Sequence, residues 1–279
     1  MRLGAMFIMV ISSTACLFTM PLIASAEGKT EITWLGHAAF RITTPTGKVL
    51  LVDPWIDNPV NKKGSDLVAA MDRTDLILLT HGHGDHVGNS VEIAKKTGAK
   101  LVATFDLGRA MVQFGGFPSQ QWGVETGGHF GGEIALLDGE VKVTFVPALH
   151  GSGLEAVEDS ALAKKSVYAG NPGGFIIAIK NGPVIYHTGD TDLFSDMALV
   201  GKFATVDIML ACIGDRFTMG PKRAAHAVRL VGPAVVIPMH YGTFPLLTGT
   251  PEQFGQEMKR EKVKAKMQAL KVNESMTWK

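Results

Sequence analysis

The segment Thr80-His81-Gly82-His83-Gly84-Asp85-His86 constrains this chain more than any other. It sets three imidazoles and a carboxylate, donors that zinc and similar divalent ions take, within six residues. In an extended or tightly turned loop, positions i and i+2 point to one side, so His81 and His83 can grip one ion. Asp85 and His86 fall past the next turn and can face a second. Gly82 and Gly84 suit this plan, because residues without a Cβ accept φ > 0 and let ligands crowd together. With nine His in 279 residues, three at fixed positions arise by chance in roughly one such chain per hundred, before the Asp is required.

Other segments repeat the pattern of a short apolar run ending in a potential ligand, as buried strands followed by functional loops do. Residues 75–80 lead into His81, and Val141–Val146 leads toward His150. Pro183–Tyr186 leads into His187 and Asp190, and Ala234–Met239 into His240. Ligands at the same end of several strands converge on one sheet edge, where α/β proteins bind their substrates. A lone His after a strand reads as structural, but four correlated placements favour a site made of His150, Asp190 and His240 together with the run at 81–86.

This ordered set resembles the ligands of the metallo-β-lactamase superfamily. Trp34-Leu-Gly-His37, Val52-Asp-Pro54, Tyr186-His-Thr-Gly-Asp-Thr191, Ile213–Pro221 and Ile237–Pro245 narrow the resemblance. They are similar to a branch of small metal-dependent hydrolases related to ascorbate-6-phosphate lactonase, over about residues 30–275. The resemblance implies a four-layer α/β/β/α sandwich and two divalent ions, zinc foremost, with manganese or iron(II) fitting the same donors. It implies His81, His83 and His150 on one ion, Asp85, His86 and His240 on the other, and Asp190 bridging. Two neighbouring ions can share a hydroxide of lowered pKa, a nucleophile that needs neither Ser nor Cys. Asp85, Asp190 and His37 are then the candidate catalytic residues, and His187 sits beside the site. Asp53 reads equally as an orienting partner for the imidazoles or as a turn-forming Asp-Pro. Tyr241, Thr243 and the segment Asp215–Met219, with Arg216 suited to an anion, are further candidates for the site wall. His129 and His226 read as solvated surface. Zinc enzymes that hydrolyse β-lactams use a cysteine at the second metal in their best-known subclass. Here Cys212 lies in an apolar run and reads as a buried structural thiol, so antibiotic hydrolysis is not expected.

Met1-Arg2, an apolar stretch to Ile23 and Ala24-Ser25-Ala26 form a secretory signal peptide over residues 1–26. Cleavage after Ala26 would leave residues 27–279 as a single hydrolase domain, periplasmic or secreted, without stable membrane association. An uncleaved anchor is the competing reading. Removing the 26-residue leader from 279 leaves 253, enough for one α/β domain with a full core. Arg2 is the leader's only charge, so one fewer than the chain's 27 basic residues, 26, face 26 acidic ones. That balance carries no electrostatic footprint for nucleic acid. A small-molecule substrate is expected, and a homo-oligomer is compatible with the sequence.

Strands are expected near residues 31–34, 40–43, 49–53, 75–80, 141–146, 174–180, 184–186, 206–212 and 235–238, with a terminal β segment near 267–278. Helices are expected near 89–96, 107–114, 221–230 and 251–262, and Gly151–Gly174 reads as a loop over the site. The alternation fits α/β architecture of any class. Hydrolysis of an ester, thioester or lactone leads the functional readings. A phosphodiesterase on a small anionic substrate and a non-enzymatic metal-binding protein are the alternatives.

Overall fold

Side-chain parity divides the short apolar strands between two cores. In β1 (Thr30–Trp34), β2 (Phe40–Thr43), β3 (Val49–Val52) and β4 (Leu76–Leu78), successive side chains face opposite sides of the sheet. Leu50, Val52, Leu76 and Leu78 enter one hydrophobic cluster, and Leu51 and Ile77 enter another. The structure, a computed structural model, describes residues 28–160 and 162–279. The expected signal peptide, residues 1–26, lies outside the described residues.

The chain continues through β5 (Lys100–Thr104), β6 (Gly127–Gly128), β7 (Glu133–Leu136), β8 (Val141–Pro147), β9 (Gly153–Glu155) and β10 (Ser166–Tyr168). It closes with β11 (Gly173–Ile179), β12 (Val184–His187), β13 (Ile208–Cys212), β14 (Val235–Met239), β15 (Lys266–Met267) and β16 (Ser275–Trp278). One seven-stranded sheet runs β16-β1-β2-β3-β4-β5-β6, and the other runs β15-β14-β13-β12-β11-β8-β7. Phe40, Leu50 and Val52 of the first meet Phe145, Phe175 and Ile177 of the second in the inner core.

Helices cover both outer faces. Val68 of α1 (Gly64–Ala70), Ile93 of α3 (Ser90–Thr97) and Leu107 and Met111 of α4 (Phe105–Gln113) pack on Leu51, Ile77 and Leu101. Between α1 and α3 lies a single turn, α2 (Gly84–Val87). On the other side, α5 (Met197–Phe203), α6 (Pro221–Val231) and α7 (Pro251–Arg260) supply Met197, Val228 and Phe254 to the larger cluster. Proline at the first turn starts α6 and α7, and α7 adds a capping box between Thr250 and Gln253. The layer order is helix, sheet, sheet, helix, as expected for the α/β/β/α sandwich.

Three departures from the expected elements have physical causes. Segment 151–174 is not a plain loop: β9 and β10 pair as a hairpin, burying Leu154 and Ala169 against the outer core of the first sheet. The single expected terminal β segment is two strands, with β15 on one sheet and β16 on the other. Asn273, at φ 67°, turns the chain between them. Strands β5 and β7 and helices α1 and α5 end in no ligand, so no motif marked them.

Strand direction makes the site. β8 and β12 are each antiparallel to β11, while β12, β13 and β14 are mutually parallel. The carboxyl ends of β8, β12 and β14 therefore share an edge. Two backbone bonds join that edge to the first sheet: Gly173 N–H donates to Thr80 O at 3.1 Å, and His240 N–H to His37 O at 2.9 Å.

Phe145 is fully buried between the sheets and meets Phe175 edge to face at 5.6 Å. Phe145→Ala should cost about 3–5 kcal/mol. Urea unfolding should show a lowered midpoint at an unchanged slope.

Candidate metal centre

The loop after β4 turns back on itself because Gly82 sits against the β9–β10 hairpin. A Cβ there would come 2.9 Å from the Ala169 Cβ, and the Gly82 N–H donates to Ser152 Oγ at 3.1 Å. This holds His81 and His83 side by side and lets Gly84 start the single turn that carries Asp85 and His86. His150 enters from the end of β8, Asp190 from beyond β12 and His240 from the end of β14.

All seven expected ligands come together. His81 Nε2 lies 3.0 Å from His83 Nδ1, and His150 Nε2 lies 3.2 Å from the same atom. Nitrogens each ~2.0–2.1 Å from a tetrahedral zinc are ~3.3 Å apart, so this trio has the spacing of one ion's donors. Asp85, His86, His240 and His37 bring donor atoms within 4.8 Å of one another, as do His81, His86 and Asp190. Asp190 Oδ2 lies between the groups, 3.6 Å from His150 Nε2, 3.2 Å from His86 Nε2 and 2.9 Å from His240 Nε2.

Several polar atoms of the cluster are buried without a full set of partners. His86 Nε2 and His240 Nε2 face the Asp190 carboxylate, and His240 Nδ1 and Asp190 Oδ1 are buried without a hydrogen-bond partner. Buried polar groups are rarely left so, and each of these belongs to a residue whose donor atoms converge with the others. The donor set fits divalent ions.

Asp53 fixes two of the imidazoles. Its carboxylate accepts the Thr80 N–H at 2.8 Å, the Thr80 hydroxyl at 2.7 Å and His86 Nδ1–H at 2.7 Å. With its only proton given to Asp53, the Thr80 oxygen accepts from His81 Nδ1 at 3.0 Å. Both rings then carry their proton on Nδ1 and turn a bare Nε2 toward the cluster. Asp53 is thus an orienting partner, as one of its two sequence readings held.

Electrostatics agree with a neutral His81 and favour a second proton on His86 wherever no ion takes its place. Burial, then the neighbouring His86, pushes His81 well below the usual imidazole range. Burial and His240 lower His37 to about 4. Burial works against the charge of Asp190, yet His240 and His86 hold its carboxyl well below the usual range. Burial likewise opposes a charged His86, but Asp190 and Asp53 outweigh it and push its pKa well up. Three carboxylates thus face a set of imidazoles, and positive charge has to come from a proton on His86 or from bound ions.

The remaining candidates divide between support and surface. His37 is buried behind Asp85 rather than on the cleft wall; its Nε2–H donates to Asp85 at 3.1 Å and its Nδ1 bonds the Thr243 hydroxyl at 2.8 Å. His187 faces away from the cleft, donating from Nε2 to Ala38 O and accepting the Gly189 N–H on Nδ1, which steadies the residue before Asp190. Tyr241 stacks on Trp34 at 5.1 Å and does not line the cleft. Arg216 is exposed, with its guanidinium 5.5 Å from the Phe217 ring centre. Cys212 is fully buried, and burial raises its thiol to about 11. His129 and His226 are outside the cluster. A cleft of about 240 Å³ opens over the donors, lined by His83, Asp85, His150, Asp190, Phe217, His240 and Phe244. Thr80, Phe244 and Trp55, which stacks on Phe244 at 5.7 Å, carried no local signal of a role.

A family profile described as the Beta-lactamase superfamily domain matches residues 48–241. The chain belongs to the beta-lactamase superfamily. Within it, a UPF0173 metal-dependent hydrolase of Thermodesulfovibrio yellowstonii is 59% identical over 255 residues, 91% of this chain and 94% of that one. Another, from Anaeromyxobacter sp. strain K, is 50% identical over 236 residues, 84% of this chain and 83% of its own. Among solved structures, Igni18, a metallo hydrolase from Ignicoccus hospitalis, is 33% identical with a TM-score of 0.75, covering 90% of this chain and 99% of its own. An isothiocyanate hydrolase from Delia radicum gut bacteria shares the fold at a TM-score of 0.66 and 18% identity, covering 89% and 99%. This superfamily member is a metal-dependent hydrolase.

Asp53→Asn keeps the size of the side chain but removes one of the acceptors that His86 and Thr80 share. Metal affinity, measured by competition with a chromophoric chelator, should fall about 10–100-fold, with far-UV circular dichroism unchanged.

Proposed function

We propose that this hydrolase uses two divalent ions, zinc foremost, to cleave a small ester, thioester or lactone. His81, His83 and His150 would hold one ion, Asp85, His86 and His240 the other, and Asp190 would bridge them. When bound, such ions lower the pKa of water toward neutrality and polarise the scissile carbonyl. The chain's own residues do the rest. Asp53, through Thr80 and directly, keeps His81 and His86 in the tautomer that presents Nε2. His37 orients Asp85, so it acts by positioning, while Asp85 and Asp190 face the cleft. Phe217 and Phe244 narrow the access of bulk water to the donors.

The observation that carries the carbonyl reading is the lining of the cleft, which contains no lysine or arginine among the described residues. A carbonyl addition develops one oxyanion, which a single electrophile stabilises. Phosphoryl transfer spreads charge over several oxygens and recruits additional cations. Arg216 is exposed, 5.5 Å from the Phe217 ring centre, and is not among the residues lining the cleft. The leader motif supports action in the periplasm or outside the cell by the mature chain, residues 27–279.

Dimetal-loaded enzyme should turn over a neutral ester or lactone with higher kcat/KM than bis-p-nitrophenyl phosphate. A phosphodiester preferred over every ester, thioester and lactone would overturn the carbonyl reading. Asp190→Ala should lose more activity than removal of any single imidazole, and elemental analysis should find fewer than two ions per chain. Retention of both ions with near-normal turnover would show that Asp190 is not the bridge.

A further inference from the structure

The cleft over the donors has an aromatic wall that the metal chemistry does not use. Phe217 and Phe244 are 51% and 37% exposed, yet both line the same small cleft as His83, His150 and His240. Single exposed apolar residues are ordinary, but two phenyl rings sharing a cleft with a hydrolytic donor set are placed where substrate must pass. Neither ring is loosely held. Asp215 and Arg216 both adopt left-handed backbone, at φ 69° and 57°, and the turn they form projects Phe217. The Arg216 N–H donates to Asp215 Oδ1 at 2.8 Å, the Asp215 N–H to Met219 O at 3.1 Å, and the Met219 N–H to Thr191 O at 2.9 Å. That chain of bonds ties the turn to the residue after Asp190. Strained backbone kept by its surroundings in this way clusters at functional sites. Phe244 is held on the other side, stacked on Trp55 and set edge-on to His37 at 5.9 Å.

From this we infer that Phe217 and Phe244 form a specificity wall for a short apolar chain or single ring carried on the substrate, uncharged apart from the group being cleaved. The inference rests on the ester, thioester or lactone reading of the same site. Volume sets the size: about 240 Å³ is below the ~300–1,000 Å³ of sites for drug-sized ligands. Charge sets the polarity. No lysine or arginine stands among the described lining residues to pair with an anionic tail, and Phe217 and Phe244 would desolvate one.

Two measurements test the wall. In the first, kcat/KM is followed along p-nitrophenyl acetate, butyrate and hexanoate with metal-loaded enzyme. It should rise about fourfold per methylene, the burial of one methylene being worth about 0.8 kcal/mol. Phe217→Ala should flatten that slope to less than twofold, Phe217→Leu should restore most of it, and Phe203→Ala, an exposed aromatic on α5 away from the cleft, should leave it unchanged. In the second, the affinities of acetate, butyrate and hexanoate are measured by calorimetry and should climb with chain length in the wild type but not in Phe217→Ala. A wild-type slope that both Phe217→Ala and Phe244→Ala preserve overturns the wall, as do ester turnover without any slope and carboxylate affinities without any slope. Ester turnover without chain-length dependence removes the wall and leaves the proposed reaction standing. No ester turnover, with carboxylate affinities that climb and depend on Phe217, does the reverse.

Discussion

Everything the site can do depends on one buried carboxylate. Asp53 is fully buried at the end of β3, where an ionised group is costly unless all its bonds are made. It makes three, to the Thr80 amide, the Thr80 hydroxyl and His86 Nδ1. Because the Thr80 hydroxyl has one proton, the bond to Asp53 forces His81 to donate from Nδ1. One carboxylate thereby sets the tautomer of two imidazoles that could serve different ions. An imidazole with the wrong nitrogen protonated offers an ion nothing, so the donor set is organised from behind.

That arrangement is bought with backbone strain, and the strain is local. Asp53, His37 and His240 adopt φ of 45°, 52° and 58°, unusual for residues with a Cβ. Each sits where a strand has ended and a side chain must turn into the space between the sheets. The surrounding bonds over-determine these conformations: Asp53 N–H is held by Leu78 O, and the His240 N–H reaches across to His37 O. The sheet edge supplies rigid anchors, and short strained turns aim the donors from them.

How much of this the sequence discloses depends on how local each cause is. The donor cluster is legible because the spacing in 81–86, and the position of the other donors after β-branched runs, is written in contiguous residues. The layers come from the family resemblance, since all-apolar runs such as Val49–Val52 and Leu76–Leu78 do not show in sequence which side chain faces which core. Asp53 stays ambiguous in sequence because Asp-Pro is also a turn signal, and only the approach of Thr80 and His86 decides it. His37 and His187 look alike as histidines near strand ends, yet one contacts Asp85 and the other faces the backbone of residues 38 and 189. Thr80 and Phe244 depend on partners far along the chain, so no window reveals them. The β9–β10 hairpin is of the same kind: its pairing is short, and Leu154 and Ala169 are fixed by packing behind Gly82 rather than by periodicity.

The division between anchored donors and loop-borne walls also bears on substrate. Fold alone does not assign it, since an isothiocyanate hydrolase shares this architecture at 18% identity. The donors sit close behind strand ends, where moving one would disturb the sheet edge and the bonds that join the two sheets. The residues free to vary without that cost lie farther out, on the turn at 215–218 and on the segment after His240. Phe217 and Phe244 occupy these positions, and among the described residues no lysine or arginine lines the cleft with them. On the proposed reading, discrimination at this site would be by shape and apolar contact. Such contact yields graded preferences of a few-fold per methylene rather than the steep rejection that a buried, unpaired polar group imposes. If Phe217 and Phe244 form the proposed wall, related small molecules would be ranked by how well their apolar part fits it.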